Sequence, residues 1–482
     1  MLITIAVAVS LAAQATAAPA PAEPRPWTLL VYGAADNNAD GPILEFLDGV
    51  RKALDDDPGM ELVLFLDRSE GYSDDASLLG EDFHGARIYR LRKDSAELLD
   101  ADEFFPGMSA DADYEVDSAD PQNVAAFVRF GKAHFPAERT GLMIYSHADG
   151  CTMCPDEESG RSMSIPELTD WVEEDCSVDF LALELCNMGG LEIAYQWRPG
   201  NGGFSADVLV AIPNAGPPLD WDRAFRRIRS EGHVRAIDAS GGASQEELLD
   251  PATMTPAAFG RLVIEEGERG RRAMAEAYPD DAERVAYEAA GCYDLRLAEA
   301  AKEAVDALAV SLWKAGAKDL FEELRDGAAD GEPVMNYVRG SFRARPYVDA
   351  YALAQRAAAC ERLPQDARAA SRATMQALDA LVLASFGMDA LHGFERGKHG
   401  IFLAFPDGDG PPGGPGASRA WQELAWYSPL EAGGEGAPYG RWAFLADGAT
   451  PGNGEVENWF ELLDAWFDDT SKGAKGSNRY AW

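Results

Sequence analysis

Positive charge is scarce in this sequence, which has 42 Lys and Arg residues against 82 Asp and Glu and a formal net charge of −40. Phosphate groups would be repelled by such a surface, so the composition argues against binding to nucleic acid or anionic lipid. Basic peptides would be attracted, although a large negative charge also serves solubility alone. Apolar residues make up 46% of the 482 residues, which excludes a disordered chain and allows two or three domains with large cores.

Long hydrophobic runs are also lacking. The segment MLITIAVAVSLAAQATA at the N-terminus is apolar but short for a membrane span, and its small-residue end is typical of a secretory signal cleaved after Ala17 or Ala18. Residues 1–18 are therefore a predicted signal peptide, and residues 19–26 are a Pro- and Ala-rich spacer. We expect a secreted or periplasmic protein that has no contact with a membrane once the signal is removed.

Cysteine is infrequent, and export would place it where thiols can pair. The six cysteines are Cys151, Cys154, Cys176, Cys186, Cys292 and Cys360. The C-x-x-C of residues 151–154 could be a redox motif or half a zinc site, but it has no second cysteine pair. We therefore predict a local disulfide that braces this loop, and we expect the last two cysteines and Cys176 to be core residues or pairing partners.

Strand-like and helix-like segments alternate from Trp27 to about residue 225. Apolar runs of strand length occupy residues 27–33, 61–67, 86–92, 141–147, 178–185 and 207–213. Continuous rather than alternating hydrophobicity predicts strands buried on both faces, and helical segments between them complete an α/β fold with a parallel-rich sheet covered by helices. Residues 246–410 are mostly helix-like with one late strand at 400–406, and residues 411–482 form a C-terminal extension.

Two reactive side chains close neighbouring predicted strands. His147 ends GLMIYSH and Cys186 follows VDFLALEL, with one predicted helix between them. A right-handed crossover would make these strands parallel, so both side chains would meet at the carboxyl edge of the sheet, where α/β folds bind ligands. Acyl transfer can use a thiolate as the nucleophile and a histidine that accepts and donates the proton. The alternative is plain: most lone cysteines are inert core residues, and a histidine at a strand end is often only a satisfied polar group.

The residues around Cys186 suit a nucleophile. Two glycines at 189 and 190 allow a tight turn, and they open the helical stretch GGLEIAYQW that follows Cys186. A helix N-terminus would lower the pKa of a neighbouring thiol. Backbone N–H groups near Cys186 and in HADG, residues 147–150, could hold an oxyanion.

An ordered set of short motifs resembles the clostripain family of cysteine peptidases. The segments are WTLLVYGAADNN from Trp27, YSHADG, LELCNMGGLEIAY, GCYDL, PYVDAYALAQ and GIFLAFP. The resemblance implies a caspase-like α/β fold related to gingipain and legumain, in a catalytic domain spanning residues 27–245. It also implies that a dyad of His147 and Cys186 cuts peptide bonds after Arg or Lys, and that the chain cuts itself in the loop between the two residues.

Two positions depart from the family pattern. The glycine after the family's histidine is Ala148 here, whose N–H could serve the oxyanion only if its backbone does not require a positive φ. The acid two residues before the nucleophile is Glu184 rather than Asp. In the pocket for the residue before the scissile bond it would pair with Arg or Lys, but it could equally form a structural ion pair.

Other candidates lie in the loops at the same predicted edge. Asp36, with Asn37 and Asn38, could line the cleft or cap the turn after the first strand, and Asn214 could form a pocket rim. Arg161 lies in a polar loop open to proteolysis, which makes it the predicted self-cleavage site. No cofactor or metal site is predicted, although the acidic residues at 156–158 could bind Ca²⁺. A solvated acidic loop is the alternative.

Two alternatives compete with the interpretation as a secreted endopeptidase that acts on basic peptides. A catalytically silent homologue could bind peptides or proteins through the same cleft, and Ala148 and Glu184 leave that open. A thiol oxidoreductase would use Cys151 and Cys154 instead.

Overall fold

The structure is a computed structural model, and it describes residues 24–56, 59–108, 114–229, 234–237, 243–246, 248–278, 285–327, 332–337, 347–405, 442–445 and 453–467. The predicted signal peptide and most of the predicted C-terminal extension lie outside these residues.

Fifteen strands are present in the described part of the chain. They are β1 (Arg25–Ala35), β2 (Met60–Arg68), β3 (Gly85–Arg92), β4 (Ser95–Leu98), β5 (Ala137–Tyr145), β6 (Thr152–Asp156), β7 (Arg161–Ser164), β8 (Val178–Glu184), β9 (Ala206–Ala211), β10 (Val234–Ile237), β11 (Ala243–Glu246), β12 (Ala289–Asp294), β13 (Tyr347–Asp349), β14 (Val382–Gly387) and β15 (Phe402–Ala404). Nine of them form one sheet in the order β14-β12-β9-β8-β5-β1-β2-β3-β4.

The centre of this sheet is parallel and its two edges are antiparallel. Strands β9, β8, β5, β1 and β2 run parallel to one another, whereas β3 and β4 on one side and β12 and β14 on the other pair antiparallel with their neighbours. All nine residues of β2 are buried, and so are the last six of β5. Side chains on both faces of these strands are covered, which explains their unbroken apolar sequences.

Helices cover both faces of the sheet. Described helices are α1 (Asp40–Ala53), α2 (Pro121–His134), α3 (Ile165–Trp171), α4 (Leu191–Gln196), α5 (Trp221–Arg227), α6 (Pro256–Ala277), α7 (Ala298–Ala315), α8 (Lys318–Asp326), α9 (Ala350–Ala359), α10 (Gln365–Leu381) and α11 (Trp459–Phe467). One core lies under α1, α5 and α6, and the other lies under α2, α3, α4 and α7. The predicted α/β class, with helices flanking a parallel-rich sheet, is confirmed.

The helix between the two site strands begins as its sequence predicts. The Glu167 carboxylate accepts a hydrogen bond from the Ser164 backbone N–H at 2.7 Å, as in the predicted capping box. Asp120 likewise caps α2, because its carboxylate accepts from the Gln122 N–H at 2.9 Å. The β5-α3-β8 connection therefore forms the crossover that makes the two strands parallel.

Strands from the helix-rich region complete the main sheet. β12 pairs antiparallel with β9, and β14 pairs antiparallel with β12. The late strand β15 belongs instead to a separate two-stranded sheet with β13. The segments on either side of the predicted boundary at residue 245 thus share one sheet. Among the described residues, every helix is too short or too polar to traverse a lipid bilayer.

Candidate active site

The ends of β5 and β8 bring a histidine and a cysteine to one edge of the sheet. The strands pair in parallel with Tyr145 opposite Glu184, which is the last residue of β8. His147 and Cys186 follow these ends directly, the first exposed and the second half-buried. Because neighbouring strands are about 4.8 Å apart, both side chains emerge at the shared carboxyl edge, as the sequence predicts.

The cysteine loop, residues 186–190, is held by the end of β9. The N–H of Asn187 donates to the carbonyl of Asn214 at 2.8 Å. The next two N–H groups, of Met188 and Gly189, both donate to the Ile212 carbonyl at 2.8 and 2.9 Å. Asn187 has a φ of 60°, a left-handed conformation that asparagine tolerates better than most residues. The backbone beside the sulfur is therefore fixed.

The two glycines of this loop are required by close contacts. A Cβ atom at Gly189 would lie 2.8 Å from the Pro213 nitrogen, and one at Gly190 would lie 2.3 Å from the ring of Phe402. Helix α4 begins only at Leu191, so four residues separate it from Cys186. The Sγ atom instead lies 4.0 Å from the Gly216 carbonyl oxygen. The predicted tight turn is present, but helix α4 begins farther from the Cys186 thiol than the sequence predicts.

His147 has a partner that the sequence does not single out. Its Nε2 atom lies 2.6 Å from Oδ1 of Asn38, which follows β1 on the same edge. An amide oxygen only accepts, so this bond calls for the tautomer with the proton on Nε2, which leaves the lone pair on Nδ1. The sequence signal for this contact was the AADNN segment, residues 34–38. Because β1 pairs directly with β5, this segment lies beside the residues that follow β5.

Ala148 does not have the positive φ that would prevent its N–H from serving an oxyanion. It forms an isolated antiparallel bridge with Met153, and a flanking bond runs from the Cys154 N–H to the His147 carbonyl at 3.0 Å. In this arrangement the N–H of Ala148 points away from Met153. Apart from glycines, the described residues with positive φ are Cys154 and Asn187, so Ala148 has an ordinary backbone conformation.

Glu184 is enclosed rather than exposed in a cleft. It is 5% exposed, and its two carboxylate oxygens accept from the Leu219 N–H at 2.8 Å and from the Trp221 indole N–H at 2.6 Å. Burial raises the pKa of this carboxyl, and the two hydrogen bonds oppose that rise. In this conformation Glu184 anchors the loop before α5, and its predicted pairing with a substrate cation remains a prediction.

Asn214 is also buried, at 3% exposure. Its Oδ1 atom accepts from the Ala289 N–H at 2.9 Å, and its Nδ2 donates to the Ala215 carbonyl at 2.9 Å. Its own carbonyl supports Asn187, as described above. The structure therefore shows Asn214 as a link between the cysteine loop and β12, and contact with a substrate remains a prediction.

A cavity of about 300 Å³ opens between α1 and the loop anchored by Glu184. Its lining combines three carboxylates with three aromatic rings, from Glu45, Asp220, Asp222, Phe46, Tyr145 and Trp221. Arg271 pairs with Asp220 at 2.9 Å and Arg226 with Asp222 at 2.7 Å, whereas Glu45 forms no ion pair within the described residues. Burial raises the pKa of Asp220 to about 6. Carboxylates and aromatic faces together suit a cationic side chain.

A second acidic group surrounds Asp36. One carboxylate oxygen each from Asp36, Glu115 and Asp156 lies within 4.8 Å of the other two. Asp67 is 0% exposed beside them, and neither of its oxygens has a hydrogen-bond partner in the described part of the chain. Burial, and then the charges of the other three, raise the pKa of Asp67 well above its usual value. We call these four residues the acid cluster.

The acidic loop predicted to offer three ligands contributes only Asp156 to the cluster. Glu157 accepts a hydrogen bond from the Tyr72 hydroxyl at 2.8 Å. Glu158 donates its backbone N–H to Oδ2 of Asp36 at 2.8 Å. Asp36 is 5% exposed and serves this cluster rather than the surface of a cleft. Its predicted contact with substrate remains a prediction.

Comparison with known proteins identifies the family. The sequence profile described as the clostripain family matches residues 31–445. The chain is also 33% identical to clostripain of Hathewaya histolytica over 481 residues, an alignment that covers 94% of this chain and 89% of that protein. The chain belongs to the clostripain family. It is therefore a cysteine endopeptidase, and the predicted family is confirmed.

Comparison with solved structures matches the chain to two C11 proteases. A zymogen C11 protease from Parabacteroides distasonis is 13% identical, with 79% of this chain and 93% of that chain covered and a TM-score of 0.49. A secreted C11 cysteine protease from Bacteroides thetaiotaomicron, in complex with an irreversible peptide inhibitor, is 15% identical, with 83% and 98% covered and a TM-score of 0.48.

For this peptidase, the predicted disulfide between Cys151 and Cys154 is wrong. Neither cysteine takes part in a disulfide, both side chains are buried, and Cys154 lies within β6. Burial raises the pKa of the Cys154 thiol, so it is a poor nucleophile, and this weighs against the oxidoreductase alternative.

Arg161 is accessible in the segment between His147 and Cys186. It begins β7, which pairs antiparallel with β6, and its side chain is 47% exposed. The guanidinium pairs with the Asp117 carboxylate at 2.6 Å. A protease would have to draw this strand out of its hairpin and break that ion pair before cutting after Arg161.

Proposed function

We propose that this chain is a secreted or periplasmic endopeptidase that cleaves after Arg or Lys, with Cys186 as nucleophile and His147 as general acid and base. The observation that carries the proposal is the emergence of both side chains from the paired strands β5 and β8, with the imidazole bonded to Asn38. Export would follow from the signal-like residues 1–18. Neither the attack of the Cys186 thiolate on the peptide nor the hydrolysis of the thioester requires a metal or cofactor at the dyad.

The proposed reaction uses the two ring nitrogens differently. Nδ1 of His147 takes the proton from the Cys186 thiol, and the thiolate attacks the scissile carbonyl carbon to form a C–S bond. The N–H groups of Ala148 and Cys186 receive the resulting oxyanion. As the C–N bond breaks, His147 gives its proton to the leaving amine. His147 then takes a proton from water, which attacks the thioester and releases the acid and the free thiol.

The cavity beside Glu184 supports the preference for basic residues. Its carboxylates and rings suit an Arg or Lys side chain, and the loop that forms its wall also brings the Gly216 carbonyl to Cys186. In this proposal Glu184 contributes by fixing Leu219 and Trp221, and Asn214 and Asp36 support the neighbouring loops. The net charge of −40 would draw basic substrates toward the surface.

Fluorogenic peptides ending in Arg, Lys, Leu or Asp test the proposal. Wild-type protein is expected to cleave the Arg and Lys peptides and to lose this activity after alkylation. Cys186→Ala is expected to abolish cleavage, whereas Cys360→Ala, which changes another half-buried cysteine, should leave it intact. Tight peptide binding without cleavage by wild type would instead indicate the silent homologue.

Self-cleavage after Arg161 is a separate part of the proposal. Purified wild-type protein is expected to yield a new N-terminus at Ser162, detected by intact-mass spectrometry, while Cys186→Ala and Arg161→Gln remain whole. Equal cleavage of wild type and Cys186→Ala would show that another protease cuts the loop. The side-chain exposure of Arg161 and the acidic cavity support this assignment.

We also propose that the acid cluster binds Ca²⁺. Oxygen ligands from several carboxylates suit this ion, and Asp67 supplies two buried oxygens that have no hydrogen-bond partner in the described chain. Added Ca²⁺ is expected to raise the melting temperature of wild type and much less that of Glu115→Gln, with Mg²⁺ as the comparison. An equal effect on both proteins would contradict the site.

A further inference from the structure

Tyr347 reaches the histidine loop, residues 147–154, from a distant part of the chain. It begins β13 in the small sheet with β15, and it is 2% exposed. Its hydroxyl donates to the carbonyl of Asp149 at 2.5 Å. Its ring stacks on Phe402 of β15, with centroids 4.2 Å apart and planes 22° apart. The hydroxyl thus bonds to the backbone two residues beyond His147.

Phe402, the other ring of this stack, is bonded to the cysteine loop. The Phe402 N–H donates to the Gly189 carbonyl at 2.9 Å, and Phe402 forms a parallel bridge with Gly190. The small sheet therefore contacts both loops of the dyad, with Tyr347 bonded to the histidine side and Phe402 to the cysteine side. The two contacts are rigidly related because the rings stack and the strands pair.

The two loops also touch each other at this point. Gly150 has a φ of +95°, and a Cβ atom there would lie 2.3 Å from the Tyr347 hydroxyl oxygen and 2.9 Å from the Asn187 carbonyl oxygen. The histidine loop is thus inserted between the Tyr347 hydroxyl and the residue after Cys186. Any movement of that hydroxyl would change how closely the loops approach.

We propose that Tyr347 is a positioning residue whose hydroxyl sets the separation between the His147 imidazole and the Cys186 thiol. The inference rests on the proposed function, since it concerns the same dyad. Proton transfer between the two groups depends steeply on their distance, and a shift near 1 Å can cost about 100-fold in rate. The side chain acts through the backbone of the histidine loop and touches neither reacting atom.

Tyr347→Phe tests the hydroxyl while it keeps the stacked ring. The kcat for an Arg peptide is expected to fall about 10- to 100-fold with KM within about twofold, because alignment is lost rather than substrate binding. Alkylation of Cys186, located by peptide mass spectrometry, gives a readout without any substrate. At neutral pH the rate of this alkylation should fall by a similar factor, since a displaced imidazole accepts the thiol proton less readily.

Tyr32→Phe is the matched control. Tyr32 is 0% exposed, stacks on Phe65 at 4.6 Å, and donates its hydroxyl to the Ser118 carbonyl at 3.1 Å. It should lose a similar hydrogen bond while keeping kcat and the alkylation rate of Cys186. The inference is overturned if Tyr347→Phe keeps both, or if both variants lose them equally. If wild type cleaves no peptide, the proposed function fails, while the alkylation rate of Cys186 still decides the role of Tyr347.

Discussion

At the scale of single residues, we propose that the hydrogen bond between Asn38 and His147 holds the imidazole in the orientation that presents Nδ1 to the thiol. Asn38→Ala removes the acceptor, so the imidazole can rotate or change tautomer. We expect kcat for an Arg peptide to fall about 10-fold, or about 1.4 kcal/mol in the barrier, with little change in KM. Asn453→Ala, at another exposed asparagine that accepts a backbone bond, serves as control. Unchanged kcat in Asn38→Ala would show that the ring needs no such partner.

Glu184 offers a second test at this scale. Glu184→Gln leaves one acceptor oxygen for two donors, so either the Leu219 N–H or the Trp221 indole loses its partner. Unfolding in urea should show a loss of about 1–3 kcal/mol. The KM for Arg peptides should rise, because the cavity wall moves. A rise in KM without loss of stability would favour direct pairing of Glu184 with substrate.

At the scale of elements, the central strands could be predicted because burial on both faces leaves an unbroken apolar run. β14 could not be predicted, since α10 ends at Leu381 and β14 begins at Val382 with no glycine or proline between them. The continuous apolar sequence therefore resembles one long helix. The shared edge of His147 and Cys186 could be predicted from strand ends, and Asn38 was a candidate for the same cleft, whereas its bond to His147 and the contact of Tyr347 become visible only when β1 is placed beside β5 and the late strands are folded back.

The acid cluster joins β1, β2 and the β6–β7 hairpin, and it makes the stability of these elements depend on pH. Burial and neighbouring carboxylates raise the pKa of Glu115 to about 7 from a usual value of 4.5. Between those values the folded state binds more protons than the unfolded state, so stability falls as pH rises through this window.

Melting temperatures in EDTA should therefore decline from pH 5 to pH 7, and Glu115→Gln should decline less. Glu70→Gln, at an exposed glutamate outside the cluster, should behave as wild type. A steeper decline in Glu115→Gln than in wild type would contradict the raised pKa.

At the scale of the whole molecule, the helix-rich region is part of the catalytic fold. β12 and β14 extend the main sheet, and the small sheet of β13 and β15 contacts both loops of the dyad. A fragment of residues 27–245 would expose the edge of β9 and one side of the cysteine loop. We expect this fragment to be insoluble or inactive on Arg peptides, whereas residues 27–482 should be soluble and active. An active short fragment would also remove the basis for a positioning role of Tyr347.

Cleavage after Arg161 should leave the two pieces associated, because the main sheet contains strands from both. β5 lies before the cut and β8 after it, and they pair in parallel over residues 141–145 and 180–184. Buried apolar residues on both faces of that pair would have to be exposed for the pieces to part. Cut protein should elute from a sizing column at the volume of the intact chain and show two bands only under denaturing conditions. Separation of the pieces in native buffer would mean that the hairpin connection, rather than the sheet, holds the halves together.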